Sequence, residues 1–383
     1  MIAMGEIFAN SRIGSINMDR VPVTDKELNN CDIEAGDLLF ARQSLVLEGA
    51  GKCSVITAVD EPTVFESHLI RARIDISKAN PYFLYYYFNS HHGKENIKTI
   101  VEQVAAAGIR GSDLIKLNVP CPALEEQNHI AEILNRFDEK IELNQKINEN
   151  LERQAQVLFK KLFVDNPGAV EWQSGTLSDL IEKTISGDWG KDAPSGKNTE
   201  MVYCIRGADI PDVRTGSKGK MPTRYILPKN YTAKHLVNGD IVVEISGGSP
   251  TQSTGRAAAV SSALLARYDK GMVCTNFCKA LKPMAGYSMY VYHYWQHLYD
   301  KGIFFSYENG TTGIKNLDIT GFLETEPITI APLELIERFD SVCQSVYAKI
   351  YSNGLENERL AGLRDTLLPK IMSGEIDVSN IQL

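Results

Sequence analysis

Three short clusters in this 383-residue chain carry residue types that do chemistry. Gly49-Ala50-Gly51-Lys52-Cys53 has the outline of a phosphate-cradling loop, in which backbone N–H groups hold phosphates and a lysine reaches the outermost one. Such a loop needs glycine where Val46 stands and a hydroxyl where Cys53 stands, so nucleotide binding is not expected. Cys274 and Cys278, followed by His293 and His297, approach the spacing of a zinc site. Residues 274–282 read as a strand, however, and side chains four apart on a strand stand roughly 13 Å from each other, too far to share an ion. The matching stretch of the first half, Ser67 to Arg71, has no cysteine. His91-His92 reads as a surface pair at a helix end. There is no Asn/Asp-Pro-Pro-aromatic tetrapeptide that would grip an adenine, no acidic cluster ending in Glu-x-Lys, and no Ser/His/Asp set. No catalytic residue and no metal site are therefore nominated.

The elements around these clusters are duplicated. Residues 124–165 shifted by 209 land on 333–374 with ten identities and no gap, among them Asn144/Asn353, Asn148/Asn357 and Leu158/Leu367. In the globular parts Gly36-Asp37-Leu38-Leu39-Phe40 matches Gly239-Asp240-Ile241-Val242-Val243, a turn into a buried strand. Aromatic helical runs, Tyr82–Phe88 and Tyr290–Trp295, follow in each copy, and Gly108-Ile109-Arg110 matches Gly313-Ile314-Lys315. Ile2 and Ile7 fall on Ile205 and Ile210. The second copy opens near Glu171-Trp172, about thirty residues before anything the first copy matches, so the first domain is expected to lack its opening segment. The expected layout is a domain at 1–123, a long helix at 124–165, a second domain at 166–332, and a second long helix with a tail at 333–383.

The helices show heptad rows. Ile130, Phe137, Asn144, Leu151 and Leu158 form one, Leu134, Ile141, Asn148, Ala155 and Leu162 the next. The second helix has Phe339, Val346, Asn353, Leu360 and Leu367, then Cys343, Ile350, Asn357, Arg364 and Ile371. Such rows demand a partner helix, and forty residues make a rod of about 60 Å. In an antiparallel pair Asn144, Asn148, Asn353 and Asn357 meet near the middle, where buried amides fix register. The competing reading is that these asparagines are partly exposed and merely tolerated. The fold class expected is α+β: two mixed α/β domains joined by two long helices that pair as an antiparallel coiled coil, related by a pseudo-twofold repeat.

Net charge is −8, with −3 on residues 1–123, −3 on 124–165, +1 on 166–332 and −3 on 333–383. That balance argues against a non-specific DNA coat but leaves room for a local basic face. Seven scattered cysteines, no apolar run long enough to span a bilayer and no secretory signal fit a cytoplasmic protein.

Pro122-Ala123-Leu124-Glu125-Glu126-Gln127, Ile130-Ala131-Glu132-Ile133-Leu134 and Ile141-Glu142-Leu143-Asn144-Gln145-Lys146-Ile147-Asn148 resemble the central region of type I restriction–modification specificity (S) subunits. Leu363 to Ile376 resembles their C-terminal region, and Trp172 with Leu177-Ser178-Asp179-Leu180 the start of a target recognition domain. The resemblance implies a non-catalytic subunit whose two target recognition domains read the halves of a bipartite double-stranded DNA site. Its helices act as a ruler. Methyltransferase (M) subunits, two of them, bring S-adenosylmethionine and adenine methylation, and restriction (R) subunits bring ATP- and Mg2+-dependent translocation and cleavage. No cofactor is expected in this chain. A two-headed protein–protein scaffold with a coiled-coil spacer is the alternative.

Within that reading Arg110 and Lys315 are the phosphate candidates, because both copies place a cation after Gly-Ile. Arg42, Gln43 and Ser44 in one copy, and Ser249, Thr251 and Gln252 in the other, are the base-reading candidates, because they differ. Ile133, Ile147, Phe159 and Leu368, outside the seam, are candidates for docking an M subunit, or else finish the intramolecular bundle.

Overall fold

A computed structural model describes residues 1–103, 106–249, 251–310 and 314–378. The chain forms two compact units, Met1–Lys140 with Leu360–Leu383, and Ile141–Arg359. Both boundaries fall inside long helices, Leu124–Phe159 and Leu333–Met372, so each unit owns a head and one end of each helix. Acidic residues in the first turns, Glu125 and Glu126 in one and Glu334 in the other, suit the positive ends of the helix dipoles. No helix among the described residues is long and apolar enough to cross a membrane. All seven cysteines are free thiols.

The first unit has strands β1 (Arg12–Ile13), β2 (Leu38–Ala41), β3 (Gln43–Ser44), β4 (Cys53–Ile56), β5 (Leu69–Ala72), β6 (Glu102–Gln103) and β7 (Ala107–Gly108). Its main sheet has the order β1-β4-β2-β5. Every residue of β2 is buried, as a strand covered on both faces must be. The helix Pro81–Asn89 lies over this sheet with Phe83 to Phe88 all buried; Phe88 meets Phe40 edge-on at 5.1 Å. Its other side meets the long helices: Ile130, Leu134 and Ile371 share one core with Phe83, and the Tyr86 hydroxyl donates to Asp138 at 2.6 Å. Asp138 also takes the guanidinium of Arg364, which explains a cation in a heptad row.

The second unit contains β8 (Gln173–Thr176), β9 (Ile181–Ser186), β10 (Glu200–Ile205), β11 (Thr223–Ile226), β12 (Ile241–Glu244), β13 (Ser246–Gly247), β14 (Ala257–Ala259), β15 (Met272–Cys274), β16 (Cys278–Pro283), β17 (Glu308–Asn309), β18 (Lys315–Leu317) and β19 (Pro327–Ile330). Its main sheet, β14-β12-β16-β9, repeats the β4-β2-β5 order and adds β9 at one side. The turn into β12 repeats the turn into β2. Gly36 and Gly239 both take the left-handed conformation, at φ 92° and 93°, which favours glycine. The next residue in each, Asp37 or Asp240, caps the turn and accepts a cation, Arg73 at 2.8 and 2.9 Å or Lys282 at 2.8 and 3.0 Å. The parallel pairing of β10 with β15 is matched in the first unit by one bridge, Ile2 to Phe65.

Inside the second unit the helices run antiparallel. Asn144 donates to Asn357 at 2.9 Å and Asn353 donates to Asn148 at 2.8 Å, so the partner number falls by four as the first rises by four. Asn144, Asn148 and Asn353 are buried and Asn357 is half-buried, so the four amides meet in two pairs. Asn148 does more: its Nδ2 also donates to the carbonyls of Ile350, at 3.0 Å, and Thr215, at 2.9 Å, tying a loop of the head to the seam. The first long helix closes in a π turn over Lys160–Val164. The second runs through Pro369 without stopping until Met372.

Candidate nucleic-acid interface

Each head carries a second, much smaller sheet. In the first unit it is β3-β7-β6, in the second β13-β18-β17, antiparallel throughout. Strands of two or three residues cannot hold themselves; each sheet hangs from the main sheet by the chain that leaves its central strand. The Ile109 N–H donates to Arg42 O at 2.9 Å, and the Leu317 N–H donates to Ile245 O at 2.8 Å. These anchors bring sequence-distant candidates together. Gln43 and Ser44 pair with Gly108 and Ala107, two and three residues before Arg110. Lys315 pairs with Gly247, two residues before Ser249.

The same anchors overturn the match between Arg110 and Lys315. They equate Ile109 with Leu317, not with Ile314. Arg110 then corresponds to Asp318, and both indeed stand at the N-caps of short helices, Gly111–Leu114 and Ile319–Thr325. Gly313, part of the apparent match, lies outside the described residues. The two connections between the small strands differ in length, three residues after β6 and five after β17, so Ile314 falls before its strand where Ile109 follows its own. The two cations thus hold different places, and the case for a shared phosphate contact falls away. Each also has its own carboxylate: Arg110 meets Glu102 at 2.6 Å, and Lys315 meets Glu308 at 2.8 Å.

The remaining candidates separate by exposure. Arg42 and Gln43 are exposed and Ser44 is half-buried; the Arg42 guanidinium rests on Ser67 O at 3.2 Å. Ser249 is spent on its own turn, its hydroxyl accepting from the N–H groups of Thr251, at 3.3 Å, and Gln252, at 3.0 Å. Thr251 and Gln252 stand in solvent.

The family model for the type I restriction modification DNA specificity domain matches residues 7–153. Along 94% of its length the chain is 25% identical to the type I restriction enzyme MjaIX specificity subunit of Methanocaldococcus jannaschii, covering 82% of that protein. It is 24% identical to the HindI specificity subunit of Haemophilus influenzae, over 90% of this chain and 87% of the other. Along nearly its whole length the chain is similar to type I restriction–modification specificity subunits. Among solved structures it matches the type I restriction–modification S subunit from M. genitalium, at 18% identity and a TM-score of 0.49 over 94% of this chain and 88% of that one.

The candidates for subunit docking need correction. Ile133 lies in the core of the first unit, and Leu368 packs half-buried against that core. Phe159 is 2% exposed, surrounded by Phe163, Tyr290, Tyr294 and Phe339. These side chains finish the intramolecular packing, because each head's aromatic helix covers the flank that the seam leaves open. Ile147 alone of the four is half-exposed outside a core. The large apolar side chains left in solvent on the described parts of the long helices are Leu143, Val157, Leu333, Val342, Leu355 and Leu363.

The cysteine–histidine cluster also resolves, for a different reason than strand geometry. Residues 274 and 278 sit on two strands joined by a turn, and Cys274 Sγ lies 3.7 Å from Cys278 O. His293 is buried among Phe159, Phe339 and Tyr347, and burial, then the Arg214 cation, push its imidazole down to about 3. Lys52 of the glycine-bearing loop donates to Phe8 O at 2.7 Å. The exposed His91-His92 pair begins the helix His91–Lys98.

Sequence reasoning missed three features. Glu102 and Glu308 are placed as partners of the cations. Leu45, 97% exposed, and Val46 project from the loop after β3, an apolar surface of the kind thymine methyl groups accept. Ser246, Asn309 and Asn316 were passed over because two- and three-residue strands are too short to show an alternating pattern. The Glu-Asn-Gly turn signal at 308–310 could have marked this hairpin.

Proposed function

We infer that this chain reads a bipartite double-stranded DNA target on behalf of a type I restriction–modification complex, one half-site per head. The observation that carries the reading is a duplicated head whose small sheets share a backbone but not side chains, in a chain that resembles specificity subunits over nearly all its length. A narrow antiparallel ribbon suits the major groove, where base pairs are distinguishable by their donors and acceptors. Shared backbone with unlike side chains is what two different half-sites require. The four asparagines set helix register within the second unit. Two M subunits dock on the helices through apolar side chains such as Leu143, Val157 and Val342, and supply S-adenosylmethionine and the adenine chemistry. R subunits supply the ATP- and Mg2+-dependent steps.

The test is methylome sequencing of cells that express the M subunits, with and without this chain. A bipartite methylated adenine motif is expected only when the chain is present. Methylation that stays the same on its removal overturns the reading. Stable binding to M subunits with no sequence preference on DNA leaves the protein scaffold in its place.

A further inference from the structure

We propose that the second half-site is read by Ser246, Asn316 and Asn309, one row across β13, β18 and β17. The inference rests on the DNA-reading function proposed above. Register puts Ser246 opposite Asn316, and Asn316 opposite Asn309. Residues directly opposite in an antiparallel sheet point to the same face. Three neighbouring strands therefore carry a polar strip about 10 Å across, close to the width of the major groove, about 12 Å.

The side chains suit the task. Asn309 and Asn316 are exposed. The Ser246 hydroxyl donates to Asn316 Oδ1 at 2.5 Å, which fixes the amide; its Nδ2 has no partner among the described residues. A carboxamide offers a donor and an acceptor side by side, the pattern an adenine edge answers. The neighbouring residues on the same strands, Glu308 and Lys315, fall on the opposite face and brace the strip from behind. The Glu308 side chain, 6% exposed, accepts from the Thr254 N–H at 2.6 Å, the Thr254 hydroxyl at 2.9 Å and Lys315 Nζ at 2.8 Å. A reading surface must be held this firmly to discriminate.

The first head offers its own comparison. The same ladder positions there hold Gln43, Gly108 and Glu102. One backbone thus presents hydroxyl and two amides in one head, and an amide, a bare glycine and a carboxylate in the other. The two half-sites accordingly differ in sequence.

The experiment uses the complex of this chain with its M subunits, methylating a randomised DNA library that is then sequenced. For Asn309→Ala with Asn316→Ala, one half of the motif is expected to relax at one or two base pairs, by on the order of tenfold or more at each. The other half and the salt dependence of binding stay unchanged. Gln43→Ala relaxes only the opposite half. A wild-type bipartite motif that the double variant reproduces without change overturns the row. Should the double variant lose all methylation, Asn316→Gln decides: an altered base preference supports the row and an unaltered one overturns it. A wild-type complex without any bipartite motif removes the DNA-reading function itself, and the row with it.

Discussion

Gly354→Ala is expected to destabilise the second unit by about 2–4 kcal/mol, although the same change at Gly362 in the same helix stabilises. Glycine inside a helix costs up to about 1 kcal/mol relative to alanine. At Gly362 an added Cβ meets nothing within 4 Å, so removing glycine there recovers that propensity, about 0.5–1 kcal/mol. At Gly354 the Cβ would stand 1.9 Å from Gly216 O and 2.5 Å from Gly216 C, both backbone. Gly216 reciprocates, its own Cβ position lying 2.4 Å from Ile350 O, with φ at 87°. The loop after Arg214 therefore lies directly on the helix and must lift when a methyl group arrives. Lifting it breaks the Asn148 bond to Thr215 O, the Arg267 bond to Gly216 O and the geometry of Arg214 on Glu152, at 2.8 and 3.0 Å. Overpacking of 1–3 kcal/mol and several lost hydrogen bonds exceed the propensity gain. Hydrogen exchange on the intact chain reads the sign: faster exchange around residues 148 and 215 for Gly354→Ala, slower exchange around 362 for Gly362→Ala. Two changes of the same sign would show that the loop does not bear on the helix.

Asp138→Ala is expected to cost about 3 kcal/mol in the first unit. Asp138 is nearly buried and accepts from the Tyr86 hydroxyl and from Arg364. Removing it strands a guanidinium that burial disfavours but that Asp138 and Asp365 together hold more firmly protonated than usual. Breaking a buried pair from one side typically costs 3–5 kcal/mol, and the 26% exposure of Arg364 argues for the lower end. The double change Asp138→Leu with Arg364→Met should recover most of the loss, since an apolar pair of similar volume leaves no charge unmatched. Exchange of the amides in Pro81–Asn89 and near Asp138 reports it. A single variant as protected as wild type would mean that the pair carries no net stability.

The long-range design was legible because it is written in repeats. The offset of 209 between the helices and the rows of apolar residues announced an antiparallel seam, and the central asparagines are paired across it in the second unit. The limits of that legibility are physical. Periodicity says which residues are apolar but not what covers them, so Ile133 and Phe159 looked free until the aromatic helices were seen over them. Sequence matching assumed equal hairpins, and a connection of five residues instead of three moved Lys315 off the place of Arg110. The cation that both copies do share, Arg73 or Lys282, holds the turn into the central strand. A repeated charge was evidence of common architecture there, while the reading surface differs between copies.

The way the chain is shared between units bears on the order in which it matures. The second unit is one contiguous stretch, Ile141–Arg359, and can close as soon as that stretch has left the ribosome. The first unit is synthesised first, yet its core includes Ile371 and Val378. The core that Pro81–Asn89 shares with Ile130 and Leu134 gains its last members only when the C-terminal end of the second long helix has been made. The second head can therefore complete its core before the first does, although the first begins to be made earlier.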